Sequence, residues 1–290
     1  MVAIVGRPNV GKSTLLNRIL GQKVSITTSK PQTTRQRIRG IKTSEHAQVV
    51  YVDTPGIHAS GKRALNRLMN RQAVTALDDV DLVLMVVAGV EWKDEDEHVL
   101  DVVQRSNKPF VLVLNQVDTL KDKSVLLAHL PPLLQRSGAK DIVPVSARNG
   151  SNVQRLESVV ESLLPVGEAI FAEDQITDHS MRFLAGEIVR EKLMRRLGQE
   201  LPYAIAVEIE QFKENPQQSE IGAVIWVERP GQKAIVIGKG GEVLKEVGTK
   251  ARLDMERLFG QRVHLNLWVK VKEGWSEDER LLRGLGLEGD

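Results

Sequence analysis

The chain has 290 residues, no Cys, and 40 Lys and Arg against 38 Asp and Glu, for a formal net charge of +2. With 27% charged and 4% aromatic residues, it falls outside the disordered, collagenous and disulfide-stapled classes, and the missing Cys excludes thiolate metal sites. The length suits two domains, and so small a net charge means that any nucleic-acid surface must be local. No apolar run reaches the ~18 residues of a membrane span, and Met1-Val2 leads straight into a strand without room for a signal peptide, so a cytoplasmic location is expected.

The first apolar run, residues 2–5, feeds Gly6-Arg7-Pro8-Asn9-Val10-Gly11-Lys12-Ser13-Thr14, and helical spacing follows over 15–20. A Gly-rich turn between a buried strand and a helix N-terminus is the geometry a polyphosphate needs. Gly6 and Gly11 let successive backbone N–H groups converge on a β-phosphate, Lys12 reaches the β and γ oxygens, and the Ser13 hydroxyl ligates Mg2+. Beyond Val24-Ser25-Ile26, residues 27–36 are polar, interrupted by Pro31 and carry the pair Thr33-Thr34. This reads as a loop beside the phosphate site, where switches form. Alternation over 37–41 and 48–52 predicts an antiparallel hairpin. Its second strand ends in Asp53-Thr54-Pro55-Gly56, followed by Ile57. A carboxylate at that strand edge holds Mg2+ through water, and Gly56 offers an unhindered N–H to a γ-phosphate.

Helical spacing over 64–77 precedes an almost wholly apolar run, 80–87, that reads as a central parallel strand buried on both faces. The acidic stretch 91–101 opens another helix and reads as a solvated face. The strand at 109–114 delivers Asn115-Gln116-Val117-Asp118 to the same sheet edge. There Asp118 can accept from the N1–H and N2–H2 donors that guanine has and adenine lacks, while Asn115 ties the loop to the first turn. The strand at 142–145 ends in Ser146-Ala147-Arg148, whose backbone can donate to guanine O6.

The turn-rich stretch 166–179 reads as a linker, and helical spacing returns over 181–197 with Arg190, Lys192, Arg195 and Arg196. Strands are predicted at 203–209 and 223–227, then residues 235–237, the loop Gly238-Lys239-Gly240-Gly241, a helix over 242–259 and a strand over 263–271. This order resembles the KH fold in its prokaryotic arrangement, in which the GxxG loop approaches a sugar–phosphate backbone and a groove takes about four bases of a single strand. Around the loop Arg229, Lys233, Lys239, Lys245, Lys250 and Arg252 outnumber Glu228, Glu242 and Glu246. Alternation assigns Trp226 and Trp268 to the core of the small sheet, and residues 276–279 are expected to cap a short helix docked against it.

The set GRPNVGKS, Thr33-Thr34, DTPG, NQVD and SAR resembles the translation-factor-related P-loop GTPases. Gln32-Thr33-Thr34-Arg35 together with ERPGQKAIVIGKGG resembles the Era family, over essentially the whole chain. The resemblance implies a Ras-like P-loop GTPase domain over 1–165, its mostly parallel sheet carrying one antiparallel strand and helices on both faces. A linker over 166–180 and a smaller α+β type II KH domain with a helical tail over 181–290 follow. It implies GTP and GDP as ligands, held by residues 6–14, 53–57, 115–118 and 146–148, and Mg2+ held by Ser13, Thr34 and Asp53. Hydrolysis would rest on Lys12, Thr34, Asp53 and Gly56, and RNA contact on Lys233, Gly238, Lys239, Gly240, Gly241 and Lys245. The partners would be the 3′ end of 16S ribosomal RNA and the 30S subunit, met by a cytoplasmic monomer that can also sit peripherally on the inner membrane face.

Two departures qualify it. Gln116 stands where the family's base-recognition motif has Lys, so weaker nucleotide affinity with guanine selectivity kept is expected. Ile57 stands where Ras-like enzymes place a water-orienting Gln, as in other Era proteins, which implies slow intrinsic hydrolysis. The competing reading is a signalling switch that acts on a protein or membrane surface, with the KH-like half as scaffold.

Overall fold

The computed structural model describes residues 1–58, 64–198, 201–215, 217–278, 280 and 282. The first half alternates strands and helices: β1 (Val2–Val5), α1 (Lys12–Leu20), β2 (Ile38–Thr43), β3 (Gln48–Asp53), α2 (Ala64–Thr75), β4 (Leu82–Ala88), α3 (Asp94–Arg105), β5 (Phe110–Asn115), α4 (Val125–Ser137), β6 (Asp141–Pro144) and α5 (Val153–Leu163). The strands form one sheet in the order β2-β3-β1-β4-β5-β6, with β2 antiparallel to β3 and the other pairs parallel.

Alternate side chains of β1 feed two cores. Val2 and Ile4 pack with Leu15, Leu16, Leu156 and Val160 of α1 and α5, while Ala3 and Val5 pack with Ala73, Val99 and Val103 of α2 and α3. A sheet covered on both faces needs apolar residues at both parities, which is why β4 and β5 read as unbroken apolar runs. Val80 is buried but lies before the strand, which starts at Leu82. Register aligns Ile4 with Asp53 and Ala88 with Asn115, so the loops carrying the motifs leave from one sheet edge.

Residues 166–180 lie along the β2 edge of this sheet. Ile41 N–H donates to Ile176 O at 2.7 Å, Gln48 Oε1 accepts from Ile170 and Phe171 N–H, and Thr177 Oγ1 donates to Arg39 O at 2.7 Å. Covering an edge strand in this way satisfies backbone groups that would otherwise template pairing.

The second half comprises α6 (Met181–Arg196), β7 (Ile205–Glu214), β8 (Gln218–Val227), α7 (Pro230–Ile237), α8 (Glu242–Phe259) and β9 (Arg262–Val271). Ser180 caps α6 by accepting from Phe183 N–H. The sheet order is β7-β8-β9, antiparallel then parallel. One face packs on α6 and α8 through Ile205, Ile221, Ile225, Val189, Val247 and Met255. Both β7 and β8 are longer than their alternating apolar stretches, because their polar halves, Glu210 to Glu214 and Gln218 to Glu220, continue the pairing beyond the core.

The tryptophans are distributed differently from the sequence reading. Trp268 is 47% exposed. Its neighbours Leu267 and Val269 point to the helices, so period-two alternation sends Trp268 to the opposite face, over Gly222. Trp275 is instead fully buried, packed with Leu65, Leu68 and Met69 of α2, with Ala206 and Leu282, and with half-buried Trp226. Of the expected C-terminal cap, Asp278 Oδ1 accepts from Arg280 N–H at 2.8 Å, while Glu279 and residues 283–290 lie outside the described residues.

Candidate nucleotide site and nucleic-acid interface

Residues 6–11 turn between β1 and α1. Gly11 has φ 97°, and a Cβ there would stand 2.3 Å from Asn115 Nδ2, so only glycine fits. No side chain caps α1, which leaves its first N–H groups for an anion. Lys12, 6% exposed, donates to Gly6 O at 3.0 Å and Arg7 O at 3.1 Å. Burial lowers its pKa to about 8, against the pull of Asp53 and with a further push from Arg7. A desolvated ammonium over carbonyl dipoles favours an incoming phosphate. Arg7 itself is fixed by Asp96 Oδ1 and Oδ2 at 3.0 and 3.1 Å. Asp96 is fully buried and also accepts from Lys93 N–H at the start of α3, so the acidic stretch is not simply a solvated face.

Ser13, Thr34 and Asp53 converge as predicted. The Asp53 Oδ2 accepts from Ser13 Oγ at 2.6 Å and Thr34 Oγ1 at 3.2 Å, and the two hydroxyls lie 2.8 Å apart. A third hydroxyl, Ser25 Oγ, donates to the same oxygen at 2.9 Å. Asp53 is fully buried and its Oδ1 has no partner among the described residues. Burial raises its pKa, while Lys12 and the hydroxyls oppose the rise. Hydroxyls and a carboxylate around an unsatisfied oxygen are the donor set of a hard cation such as Mg2+. Lys12, Ser13, Thr34 and Gly56 line one cleft, together with Pro8, Asn9, Gly11, Thr14, Gln32 and Thr33.

The base-recognition loop is tied to this turn. Asn115 Nδ2 donates to Val10 O at 2.8 Å and its Oδ1 accepts from Ala147 N–H at 2.9 Å. Gln116, in a left-handed conformation at φ 67°, donates from Nε2 to Asn9 O at 3.1 Å, so it bridges the two loops from the position where the family motif has Lys. Asp118 is oriented by Ser146 Oγ at 2.7 Å. The Arg148 carbonyl accepts from Arg18. With Ala147 N–H engaged by Asn115, a guanine O6 must share that donor or replace Asn115. Val10, Thr54, Ile57 and Val117 turn their side chains inward, Thr54 Oγ1 donating to Ile4 O at 2.8 Å, so they can meet a ligand only through the backbone.

Unforeseen in the sequence, α6 grips residues 27–33. Arg190, held by Glu187, donates to Thr33 O and Gln32 O. Arg195 Nη2 donates to Thr27 O at 2.8 Å, and fully buried Glu191 accepts from Thr27 N–H at 3.0 Å and from Lys23 at 2.5 Å. Lys30 donates in return to Leu197 O and to Gly198 O. The loop that carries Thr34 is therefore fastened to the second half of the molecule.

In the second sheet's unit, Gln232 accepts from Arg229 N–H at 3.0 Å to open α7. The loop after α7 has Gly238 at φ 77°, where a Cβ would strike Val243 at 2.5 Å, and Gly240 and Gly241 at φ 60° and 80° with open space above them. Lys233, Lys239 and Lys245 are exposed and unpaired among the described residues. Lys250 and Arg252 of the expected basic rim are instead held by Glu246 and Glu256.

A family described as 50S ribosome-binding GTPase matches residues 1–116, and the KH domain family matches residues 200–276. GTPase Era of Glaesserella parasuis is 57% identical over 98% of this chain and 95% of its own length. This chain belongs to the GTPase Era family. Era of Haemophilus influenzae is 56% identical over the same shares. Among solved structures, an Aquifex aeolicus Era variant bound to GDP·AlF4− superposes with a TM-score of 0.95 at 39% identity, covering 99% of this chain and 98% of that one. Era in complex with MgGDPNP and nucleotides 1506–1542 of 16S ribosomal RNA superposes with a TM-score of 0.95 at 40% identity, covering 99% and 97%. The Era family's Ras-like sheet and C-terminal KH domain are thus both present here. No helix among the described residues is long and apolar enough to cross a membrane.

Proposed function

We propose that this Era-family protein binds and slowly hydrolyses GTP, binds the 3′ end of 16S ribosomal RNA through its KH loop, and couples the two during assembly of the 30S subunit. The division into residues 1–165, 166–180 and 181–290 follows from the same reading, as does action in the cytoplasm as a monomer. The observation that carries it is the convergence of Lys12, Ser13, Thr34 and Asp53 in one cluster, joined to the Asp118 loop by Asn115. Lys12 places positive charge on the β and γ oxygens, Gly56 offers its N–H to the γ-phosphate, and Thr34 and Ser13 present hydroxyls to the metal. Mg2+ held by Ser13, Thr34 and Asp53 would supply neutralisation of the charge that develops on the transferring phosphate. Ile57 is in the core and supplies no water-orienting group. Phosphoryl transfer needs positioning and charge stabilisation more than a base, so hydrolysis proceeds, but slowly.

Calorimetric titration with GTP, GDP and ATP, with and without Mg2+, tests the nucleotide half. Heat with both guanine nucleotides and none with ATP is expected; no heat with GDP refutes it. Phosphate beside Lys12 raises its pKa again, so binding above pH 8 takes up a proton. Affinity should then fall as pH rises through about 8, by up to about tenfold per pH unit. A dissociation constant that stays flat up to about pH 9.5 refutes the role of Lys12 as a buried cation.

Coupling runs through α6. The γ-phosphate and metal hold Thr34, and the same loop is bonded to Arg190, Glu191 and Arg195, so nucleotide state biases how the KH unit is presented. RNA carrying the 16S 3′ sequence should bind tighter with a GTP analogue than with GDP, and Arg190→Ala should bring the two affinities to within about twofold. Filter binding that finds an unchanged ratio in the variant removes Arg190 from the coupling. The competing scaffold reading has no observation in its favour: the KH loop is open, and Lys239 within it and Lys233 and Lys245 on the flanking helices are exposed.

A further inference from the structure

We propose that Ser25 is a positioning residue for the magnesium site: its hydroxyl fixes the Asp53 carboxylate from a buried position outside the cleft lining, and the Asn17 side chain fixes Ser25. The proposal rests on the nucleotide reading above.

Ser25 is fully buried and does not line the cleft. Its hydroxyl donates to Asp53 Oδ2 at 2.9 Å, the oxygen that Ser13 and Thr34 also reach. Those two hydroxyls are themselves the metal donors, so their hydrogen bonds to Asp53 depend on the state of the site. Ser25 has no such second task. It is held by a two-sided clamp from α1: Asn17 Oδ1 accepts from Val24 N–H at 2.8 Å and Ser25 N–H at 2.9 Å, and Asn17 Nδ2 donates to Ser25 O at 2.6 Å. The clamp joins α1 to residues 24 and 25, which precede the polar loop 27–36 that carries Thr34.

The final torsion of an aspartate is broad and nearly two-fold, so a carboxylate that must keep one oxygen toward two metal-donor hydroxyls needs a further donor to fix which oxygen faces them. Ser25 donates to that oxygen, Oδ2, while Oδ1 is buried and has no partner among the described residues. Outer-shell partners of this kind orient the ligands, and their loss costs about ten- to a hundredfold in metal affinity.

The test uses the full-length protein loaded with a fluorescent GDP, whose release is timed across a series of Mg2+ concentrations. Mg2+ should slow release from the native protein, and Ser25→Ala should raise the half-effective Mg2+ concentration about tenfold or more while affinity in EDTA stays within about twofold. Ser25→Cys, which fills the same space with a weak donor, should shift the midpoint in the same direction and keeps the test valid if alanine unfolds the chain. Electron paramagnetic resonance of added Mn2+ should show more free ion with either variant. A midpoint within about twofold of native in both variants overturns the proposal, as does an equal loss of affinity with and without metal, which is what lost packing alone produces. Native protein whose release ignores Mg2+ overturns the magnesium reading of the site and the role of Ser25 together.

Discussion

Asp118→Ala should weaken GDP binding by about a hundred- to ten-thousandfold, because in the proposed site the carboxylate would accept two charge-assisted hydrogen bonds from guanine that contribute roughly 1.5–3 kcal/mol each. Asp118 stands in the short 3-10 turn that follows β5, and its carboxylate is preset by the Ser146 hydroxyl at 2.7 Å. A site built to accept N1–H and N2–H2 rejects a base without them more strongly than any apolar pocket could. Adenine nucleotides should bind as poorly to the variant as to the native protein. Asp118→Asn should move the preference toward xanthosine nucleotides, since an amide donates to the xanthine C2 carbonyl where a carboxylate cannot. Competition of GDP, ADP and the xanthosine diphosphate against a fluorescent nucleotide measures all three. GDP affinity unchanged in Asp118→Ala would disprove the assignment of this loop to the base, whatever the phosphate site does.

The second large effect concerns the KH loop. The double change Lys239→Asp and Gly240→Asp should reduce affinity for the 16S 3′ sequence about a hundredfold or more and flatten its salt dependence by about 0.7 for each phosphate that is no longer neutralised. Lys239 is exposed, and Gly240 sits at φ 60° under open space, so the backbone there can be approached closely by a sugar–phosphate chain. Aspartate tolerates that left-handed backbone, so the loop keeps its shape while two carboxylates face the strand. GDP affinity should be unchanged, because the loop belongs to the second sheet's unit and none of its residues lines the phosphate cleft among the described residues. Salt-dependent filter binding with native and variant protein decides the matter. Native RNA affinity in the variant would return the scaffold reading to favour.

The position of these motifs was legible because each follows a strand. Gly6 to Thr14 after β1, Asp53 to Gly56 after β3, Asn115 to Asp118 after β5 and Ser146 to Arg148 after β6 all leave from one edge once the strands are parallel, and parallel buried strands announce themselves as unbroken apolar runs. The GxxG loop was legible for a similar reason, lying between two helical spacings. Ser25 was visible only as part of a short apolar flank, Val24-Ser25-Ile26, with no spacing to mark its hydroxyl.

By itself the sequence determined most of the strands and helices, though not α4 with its Pro131 and Pro132, and which strand ends carry the residues read as phosphate, metal and base ligands. These follow from short-range periodicity and from residue chemistry that acts within a few positions. Tertiary structure alone decided that Asp96 anchors Arg7, that Ser25 backs Asp53, that Trp275 and not Trp268 is buried, and that the charges of α6 fasten the Thr34 loop. Each of these depends on which face of one element meets another from a distant part of the chain. Glu191 and Thr27 bond across a sequence separation of 164 residues. A charged helix face reads the same in sequence whether water or so distant a loop lies against it, and only packing tells the two apart.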